Sequence, residues 1–309
     1  MRTLDLAGLI PATLTPMTDT FEVDEPALRT YIRWLLGFDG LKGVAVNMDT
    51  GEGPHLTGEE KRAIISIWKE EAKDELPILA GVTGPSTANA IREARDAEES
   101  GADGLVIFPI PAYAGQPLPP EVPLRYHEAI ADAVGIPLVL FQLQPALSGV
   151  IFSQETLEQL LQIDRVIAIK EASFDIITFL NTLEIVRKIS RKTTVLTGND
   201  NFILESFLLG ADGALIGFGT IAVAEQLEMI RLARANDISR AIRIYEEMVR
   251  PLANGIFSAP VRNYRARLKE ALVLLGILEN SAMRPPILPL DNAEKNMVRE
   301  LLKKVGLLV

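Results

Sequence analysis

Short apolar runs alternate along the chain with longer stretches in which apolar residues recur at helical spacing. Eight runs rich in Val, Ile and Leu predict buried strands, at 8–14, 43–48, 77–83, 104–109, 136–143, 166–171, 194–198 and 213–217. Each run precedes a predicted helix, at 24–36, 57–72, 86–100, 120–134, 153–161, 175–189, 201–209 and 222–235. Eight such pairs indicate an α/β protein with a (β/α)8, or TIM, barrel. An open doubly wound sheet is the alternative, but no G-x-G-x-x-G motif follows the first run.

The remaining C-terminal residues predict three more helices, at 238–254, 259–275 and 292–305, with a Pro-rich segment at 283–289 before the last. We therefore predict a barrel domain at 1–235 and a helical extension at 236–309. The extension is expected to pack on the barrel, or on a partner subunit, rather than to form an independent globular domain.

Composition narrows the classes of function. Hydrophobic residues make up 48% of the chain and the formal net charge is −10, which argues against nucleic acid or a membrane as partner. Cysteine is absent and only His55 and His127 occur, so thiolate catalysis and metal sites rich in Cys or His are excluded. Neither a signal peptide nor an apolar run of about 18 residues is found. We expect a cytoplasmic protein that needs no metal or organic cofactor.

Lys170 stands at the end of the sixth predicted strand, in VIAIKEAS. An ammonium at such a position is costly to desolvate, so burial favours the neutral amine, which is a nucleophile towards carbonyls. The alternative is a lysine that reaches solvent or pairs with a carboxylate.

Active sites of these barrels are built from the C-terminal ends of the strands and the loops that follow. Asp49, Thr50 and Gly51 follow the second strand and suit an anion held by backbone N–H groups, although an ordinary turn has the same composition. Glu52 is expected to be structural, as a partner for a backbone group or a basic side chain. Tyr113, after the fourth strand, could carry a proton or only cover the barrel mouth.

Several motifs in this order are similar to one known family. They are GLIPATLTP at 8–16, GVAV at 43–46, DTGE at 49–52, PAY at 111–113, IKEA at 169–172 and TGND at 197–200. The chain resembles the dihydrodipicolinate synthase / N-acetylneuraminate lyase family of Schiff-base-forming aldolases and lyases over essentially its whole length. The resemblance implies a barrel with a C-terminal helical bundle, usually in a tetramer built as a dimer of dimers.

Site roles follow from the resemblance residue by residue. Lys170 matches the lysine that forms an imine with pyruvate or a related 2-oxo acid. Asp49 and Thr50 match the residues whose backbone amides hold the carboxylate of that acid. Tyr113 matches a tyrosine that reaches the proton relay of a neighbouring subunit. Ile216 matches a residue whose backbone lies beside the bound pyruvate unit.

The chain departs from the family at the fifth strand, where Phe141 replaces the tyrosine that acts as general acid and base. A phenyl ring transfers no proton, and the arginine that binds a second carboxylate in the synthases is missing from 145–149. Asp49 replaces a Ser or Thr, and we predict that its carboxylate takes over part of the proton transfer. That role requires Asp49 to be protonated or turned away from the substrate carboxylate; otherwise it only caps its loop.

The leading hypothesis is a lyase that cleaves, forms or dehydrates a 2-keto-3-deoxy acid through an imine on Lys170. Gln142, with Gln144 and Ser148, would suit hydroxyl-bearing substrates better than a dicarboxylate. A non-catalytic 2-oxo acid binder that kept the lysine is the alternative, and a barrel enzyme of another kind with a structural Lys170 is the third. A homotetramer or homodimer is expected.

Overall fold

A computed structural model of the chain describes residues 4–115, 117–189 and 193–308. Eight parallel strands lie in one sheet in the order β1-β8-β7-β6-β5-β4-β3-β2. The strands are β1 (Leu9–Pro11), β2 (Val44–Val46), β3 (Ile78–Val82), β4 (Gly104–Ile107), β5 (Leu138–Leu143), β6 (Val166–Ala172), β7 (Thr194–Thr197) and β8 (Gly213–Ile216). A parallel bridge from Ala12 to Ala45 joins β1 to β2 and closes the cylinder. The predicted (β/α)8 barrel is confirmed.

Helices follow the strands as the periodicity predicts. The barrel helices are α1 (Glu25–Leu36), α2 (Gly58–Ala72), α3 (Thr87–Glu99), α4 (Glu121–Ala133), α5 (Gln154–Leu160), α6 (Ile176–Lys188), α7 (Ile203–Leu209) and α8 (Val223–Arg234). A capping box formed by Thr57 and Glu60, which the sequence T-G-E-E at 57–60 encodes, is present at the start of α2. Within the described residues, no helix is both long and apolar enough to cross a membrane.

Four helices form the C-terminal extension: α9 (Ile238–Ile244), α10 (Arg250–Ile256), α11 (Tyr264–Leu274) and α12 (Asn292–Lys304). A π-helical turn, Tyr245–Val249, joins α9 to α10. The sequence predicted a helix from 259, but α11 begins at Tyr264. Pro260 disfavours helical backbone in the residue before it, and a 3-10 turn, Val261–Asn263, precedes the helix.

The alternation of side chains along each strand separates two apolar regions. Phe141 and Leu143 face the barrel interior with Leu196 of β7, whereas Leu140 belongs to the layer between barrel and helices. That outer layer continues into the extension, through residues such as Val298 of α12. The extension therefore shares an apolar core with the barrel; a boundary at residue 235 stays a prediction.

Candidate active site

Lys170 projects from β6 into the barrel interior, between Phe141 of β5 and Leu196 of β7 in the strand register. Its side chain is buried, and Nζ lies 4.2 Å from the centroid of the Phe141 ring. Phe108 packs edge-on against the same ring, with centroids 5.0 Å apart. The amine thus stands in an apolar setting at the carboxyl end of the barrel.

Burial lowers the pKa of Lys170 to about 8, against the opposing effect of the negative charges of Asp200 and Asp49. Burial likewise raises the pKa of Asp200 to about 7, although the Phe218 N–H donates to Oδ1 at 2.8 Å and Lys170 favours the charged form. Both shifts favour the neutral pair.

Gly198 makes room beside the amine. A Cβ at Gly198 would lie 2.8 Å from Lys170 Cε and 2.7 Å from Ala172 Cβ, which is closer than carbon atoms pack. The absence of a side chain at this strand end leaves the Lys170 side chain free to extend along the barrel.

Glu171 and Asn199 fix the ends of β6 and β7. The Asn199 amide donates to Glu171 Oε2 at 2.7 Å, and its oxygen accepts from the backbone of Phe174 at 2.7 Å. Glu171 is fully buried and faces away from the interior, and burial raises its pKa. These bonds hold the strand ends that carry Lys170 and Asp200 in a fixed relation.

The loop after β2 is tied to the extension by Asp49. Tyr264 of α11 donates its phenol proton to Asp49 Oδ2 at 2.6 Å, and Arg265 forms a bidentate ion pair with the same carboxylate. The Asp49 side chain is one-quarter exposed. The Asp49 carboxylate is thus turned towards α11, and its predicted role in proton transfer stays a prediction.

Thr50 and Tyr264 converge where β8 ends. A Cβ on Gly217 would lie 2.9 Å from Thr50 Oγ1 and 3.4 Å from Tyr264 Cε2. Thr50 is buried. Within the described residues, the backbone N–H groups of Asp49 and Thr50 have no hydrogen-bond acceptor. Two such donors side by side suit a carboxylate.

Glu52 has the structural role that the sequence predicted. Its Oε1 accepts from the buried Lys269 of α11 at 2.6 Å, and its Oε2 accepts from the backbone N–H of Arg284 at 2.8 Å. The residue adopts a left-handed backbone, with φ of 60°. Glu52 thereby connects the loop after β2 to two segments of the extension.

Tyr113 lies in a short 3-10 turn after β4, outside the barrel interior. Its ring packs against Tyr126 and Phe152, with centroids 6.1 and 6.2 Å away. The hydroxyl is buried without a hydrogen-bond partner among the described residues, and burial raises the pKa of this phenol well above its ordinary range. A role for Tyr113 in proton transfer stays a prediction.

The structure corrects the substrate-binding role predicted for Gln142. Because Phe141 faces the interior, Gln142 faces outward. Its amide donates to Thr182 of α6 at 3.0 Å and its oxygen accepts from the Phe152 backbone at 2.9 Å, so both ends are bonded outside the barrel.

Ile216 ends β8 as expected, but its carbonyl accepts from Ala12 at 2.9 Å, which occupies part of the backbone predicted to lie beside a ligand.

Three residues of this site were missed as candidates. Asp200 stands in the TGND motif at a strand end, and that position could have singled it out. Tyr264 and Arg265 carry no such signal, because they lie 215 and 216 residues from Asp49 and begin a helix of the extension.

The structure is a (β/α)8 barrel with a buried lysine amine at the carboxyl ends of its strands. Comparison with known proteins identifies the family of barrel proteins to which the chain belongs. The model of the dihydrodipicolinate synthetase family matches residues 5–305, so the chain belongs to this family. The 4-hydroxy-tetrahydrodipicolinate synthases of Acidovorax sp. (strain JS42) and Thermomicrobium roseum are similar, with 33% and 31% identity over 98% and 94% of this chain and 98% and 91% of theirs. The chloride-inhibited dihydrodipicolinate synthase of Acinetobacter baumannii, crystallised with pyruvate, superposes with a TM-score of 0.86 at 28% identity, covering 98% of this chain and all of the other.

Proposed function

We propose that the protein is a lyase that binds pyruvate or a related 2-oxo acid as an imine of Lys170. The carrying observation is the buried Lys170 amine, whose pKa is lowered and whose Cε packs against the backbone at Gly198. A neutral lysine amine attacks the C2 carbonyl, whose oxygen leaves as water with the uptake of one proton, giving an iminium. Asp200, whose negative charge acts on Lys170, is the group that we propose takes the proton that the ammonium must lose first.

The iminium serves as an electron sink for the bond next to it. In aldol cleavage, the C4 hydroxyl loses its proton, the C3–C4 bond breaks, and its electron pair forms the enamine. In dehydration, C3 loses the proton and the C4 hydroxyl leaves as water. The free amides of Asp49 and Thr50 support carboxylate binding beside Lys170.

Substrates of the 2-keto-3-deoxy acid class are favoured over the second substrate of a dihydrodipicolinate synthase. Phe141 brings a phenyl ring where that reaction is expected to use a phenol, and residues 145–149 contain no arginine for a second carboxylate. A non-catalytic 2-oxo acid binder is the second candidate, and the close contact of Phe141 with the amine is the observation that favours it.

A panel of 2-keto-3-deoxy sugar acids separates the two candidates. We expect at least one member to release pyruvate or lose water in the wild-type protein and to remain unchanged with Lys170→Met. The non-catalytic binder would be favoured if pyruvate forms an adduct with Lys170 but no member of the panel is turned over. In that case aspartate semialdehyde should also fail to condense with pyruvate.

A homo-oligomer and a cytoplasmic location complete the proposal. Ile177 on α6 is 61% exposed and Leu208 on α7 is 46% exposed, with Ile176 and Leu180 beside Ile177 on α6. Exposed large apolar side chains on neighbouring helices are typical of surfaces that associate. Light scattering is expected to give the mass of a dimer or tetramer, and Ile177→Lys is expected to reduce it.

A further inference from the structure

The mouth of this barrel contains a phenol that does not come from a strand. Tyr264 is the first residue of α11, and its side chain crosses from the extension to the loop after β2. The ring stacks on Phe257, with centroids 4.7 Å apart and planes 19° apart, and only 4% of the residue is exposed. A ring held in this way presents its hydroxyl in one direction.

The hydroxyl of Tyr264 has a defined proton partner. It donates to Asp49 Oδ2 at 2.6 Å, and Arg265, the next residue along α11, pairs with both oxygens of that carboxylate. The bidentate guanidinium stabilises the charged carboxylate and fixes its plane. Asp49 Oδ2 is therefore the atom positioned to receive the phenol proton when the phenol oxygen gains one from elsewhere.

This pair stands at the same mouth of the barrel as the imine-forming amine, where the loop after β2 meets the end of β8. The negative charge of Asp49 acts on Lys170. A Cβ added at Gly217 would contact both the Tyr264 ring and the Thr50 hydroxyl, so the phenol lies beside Thr50. The free amides of Asp49 and Thr50 would hold the ligand carboxylate in the same loop. Burial and Asp49 raise the pKa of Tyr264 well above its ordinary value, so the phenol stays protonated until it can pass its proton on.

We propose that Tyr264 is the catalytic proton-transfer residue of this site, with Asp49 as the group that receives its proton and Arg265 as the residue that positions Asp49. The proposal rests on the imine function of Lys170. It gives the C-terminal extension a direct part in catalysis. Tyr264 then supplies the phenol that is missing at position 141.

In the pyruvate iminium, loss of a C3 proton gives the enamine. A C3–H bond breaks and its electron pair forms the C2=C3 bond, while the C=N π pair returns to the Lys170 nitrogen. The proton passes to the Tyr264 oxygen as the phenol proton passes to Asp49. The products are a neutral enamine, an intact phenol and a protonated Asp49, and the reverse step returns a proton to C3.

Exchange of the pyruvate methyl protons in D2O, followed by NMR, measures this step without the natural substrate. We expect Tyr264→Phe to slow the exchange about 100-fold or more, because positioned acid–base groups contribute that much. Borohydride trapping of pyruvate on Lys170 should persist in the variant, because the amine is untouched. Tyr245→Phe is the matched control: it removes another buried phenol of the extension, at the π turn, and should exchange like the wild type.

Asp49→Asn is the second variant and keeps the side chain nearly the same size. Slower exchange with a flattened pH profile, and trapping retained, supports the relay. Full exchange in trapped, folded Tyr264→Phe would overturn it. Failure of the wild-type protein to trap pyruvate at all would overturn the imine function, and the relay with it.

Discussion

The amine of Lys170 faces the ring of Phe141, with Nζ 4.2 Å from the ring centroid. The two residues are directly opposite in the register of β6 and β5, so this contact is built into the sheet. The ring supplies a weak attraction for the ammonium and no exchangeable proton. The ring therefore does not serve as acid or base in the proposed imine reaction, and the groups proposed for that role are Asp200 and the Tyr264–Asp49 pair.

Imine formation should depend on pH through the Lys170 amine. With a pKa of about 8, the neutral fraction of the amine rises about tenfold from pH 6 to 7 and levels off above about pH 8. We expect the initial rate of pyruvate adduct formation, measured by cyanoborohydride trapping, to follow this curve. A rate that still rises tenfold between pH 9 and 10 would indicate an ordinary lysine.

Replacement of Lys170 by Met should stabilise the fold. The pKa of Lys170 is lower in the folded than in the unfolded chain, so burial of the amine costs stability below about pH 8, and the cost disappears as pH rises from about 8 to 10.5. We expect Lys170→Met to gain about 1–3 kcal/mol in the free energy of unfolding at pH 7. Urea titrations at pH 7 and 10.5 check the sign, and a gain that does not shrink at the higher pH would contradict it.

A methyl group at Gly198 should block the site without unfolding the protein. The added Cβ would overlap Lys170 Cε and Ala172 Cβ, so we expect Gly198→Ala to cost about 1–3 kcal/mol in stability and to reduce trapped pyruvate tenfold or more. Gly58→Ala is the control, since the nearest atom to a Cβ there is the Arg62 guanidinium at 3.7 Å. Equal trapping in the two variants would show that Gly198 does not limit the amine.

The buried pair of Glu52 and Lys269 should be a stability determinant. Glu52→Gln leaves a fully buried ammonium without its counter-charge, and we expect a loss of about 3–5 kcal/mol. Glu52→Gln combined with Lys269→Met should recover much of that loss, because no unpaired charge remains. A double-mutant cycle by urea unfolding measures the coupling, and additive losses would contradict it.

The sequence predicted the barrel well because each element is encoded locally. Alternating apolar runs marked the strands, and a capping box marked the start of α2. The position of Lys170 at a strand end was readable for the same reason. The substrate-binding role predicted for Gln142 ignored the alternation of side chains along a strand. The same alternation that turns Phe141 into the barrel turns its neighbour Gln142 outward.

The sequence predicted a proton-transfer role for Asp49, but its partners Tyr264 and Arg265 could not be predicted, because they depend on contacts between distant segments. Asp49 meets Tyr264 only when α11 packs across the barrel mouth, and nothing in the sequence around either residue encodes that contact. The start of α11 at Tyr264 decides which side chain reaches the loop, and the pattern had placed the start of this helix at 259.

Reduction with borohydride in the presence of pyruvate, followed by peptide mass mapping, tests the central claim most directly. We predict a mass increase of one reduced pyruvate unit on the peptide that contains Lys170, and none in Lys170→Met. An unmodified Lys170 peptide, or equal labelling of exposed lysines such as Lys188, would contradict the account.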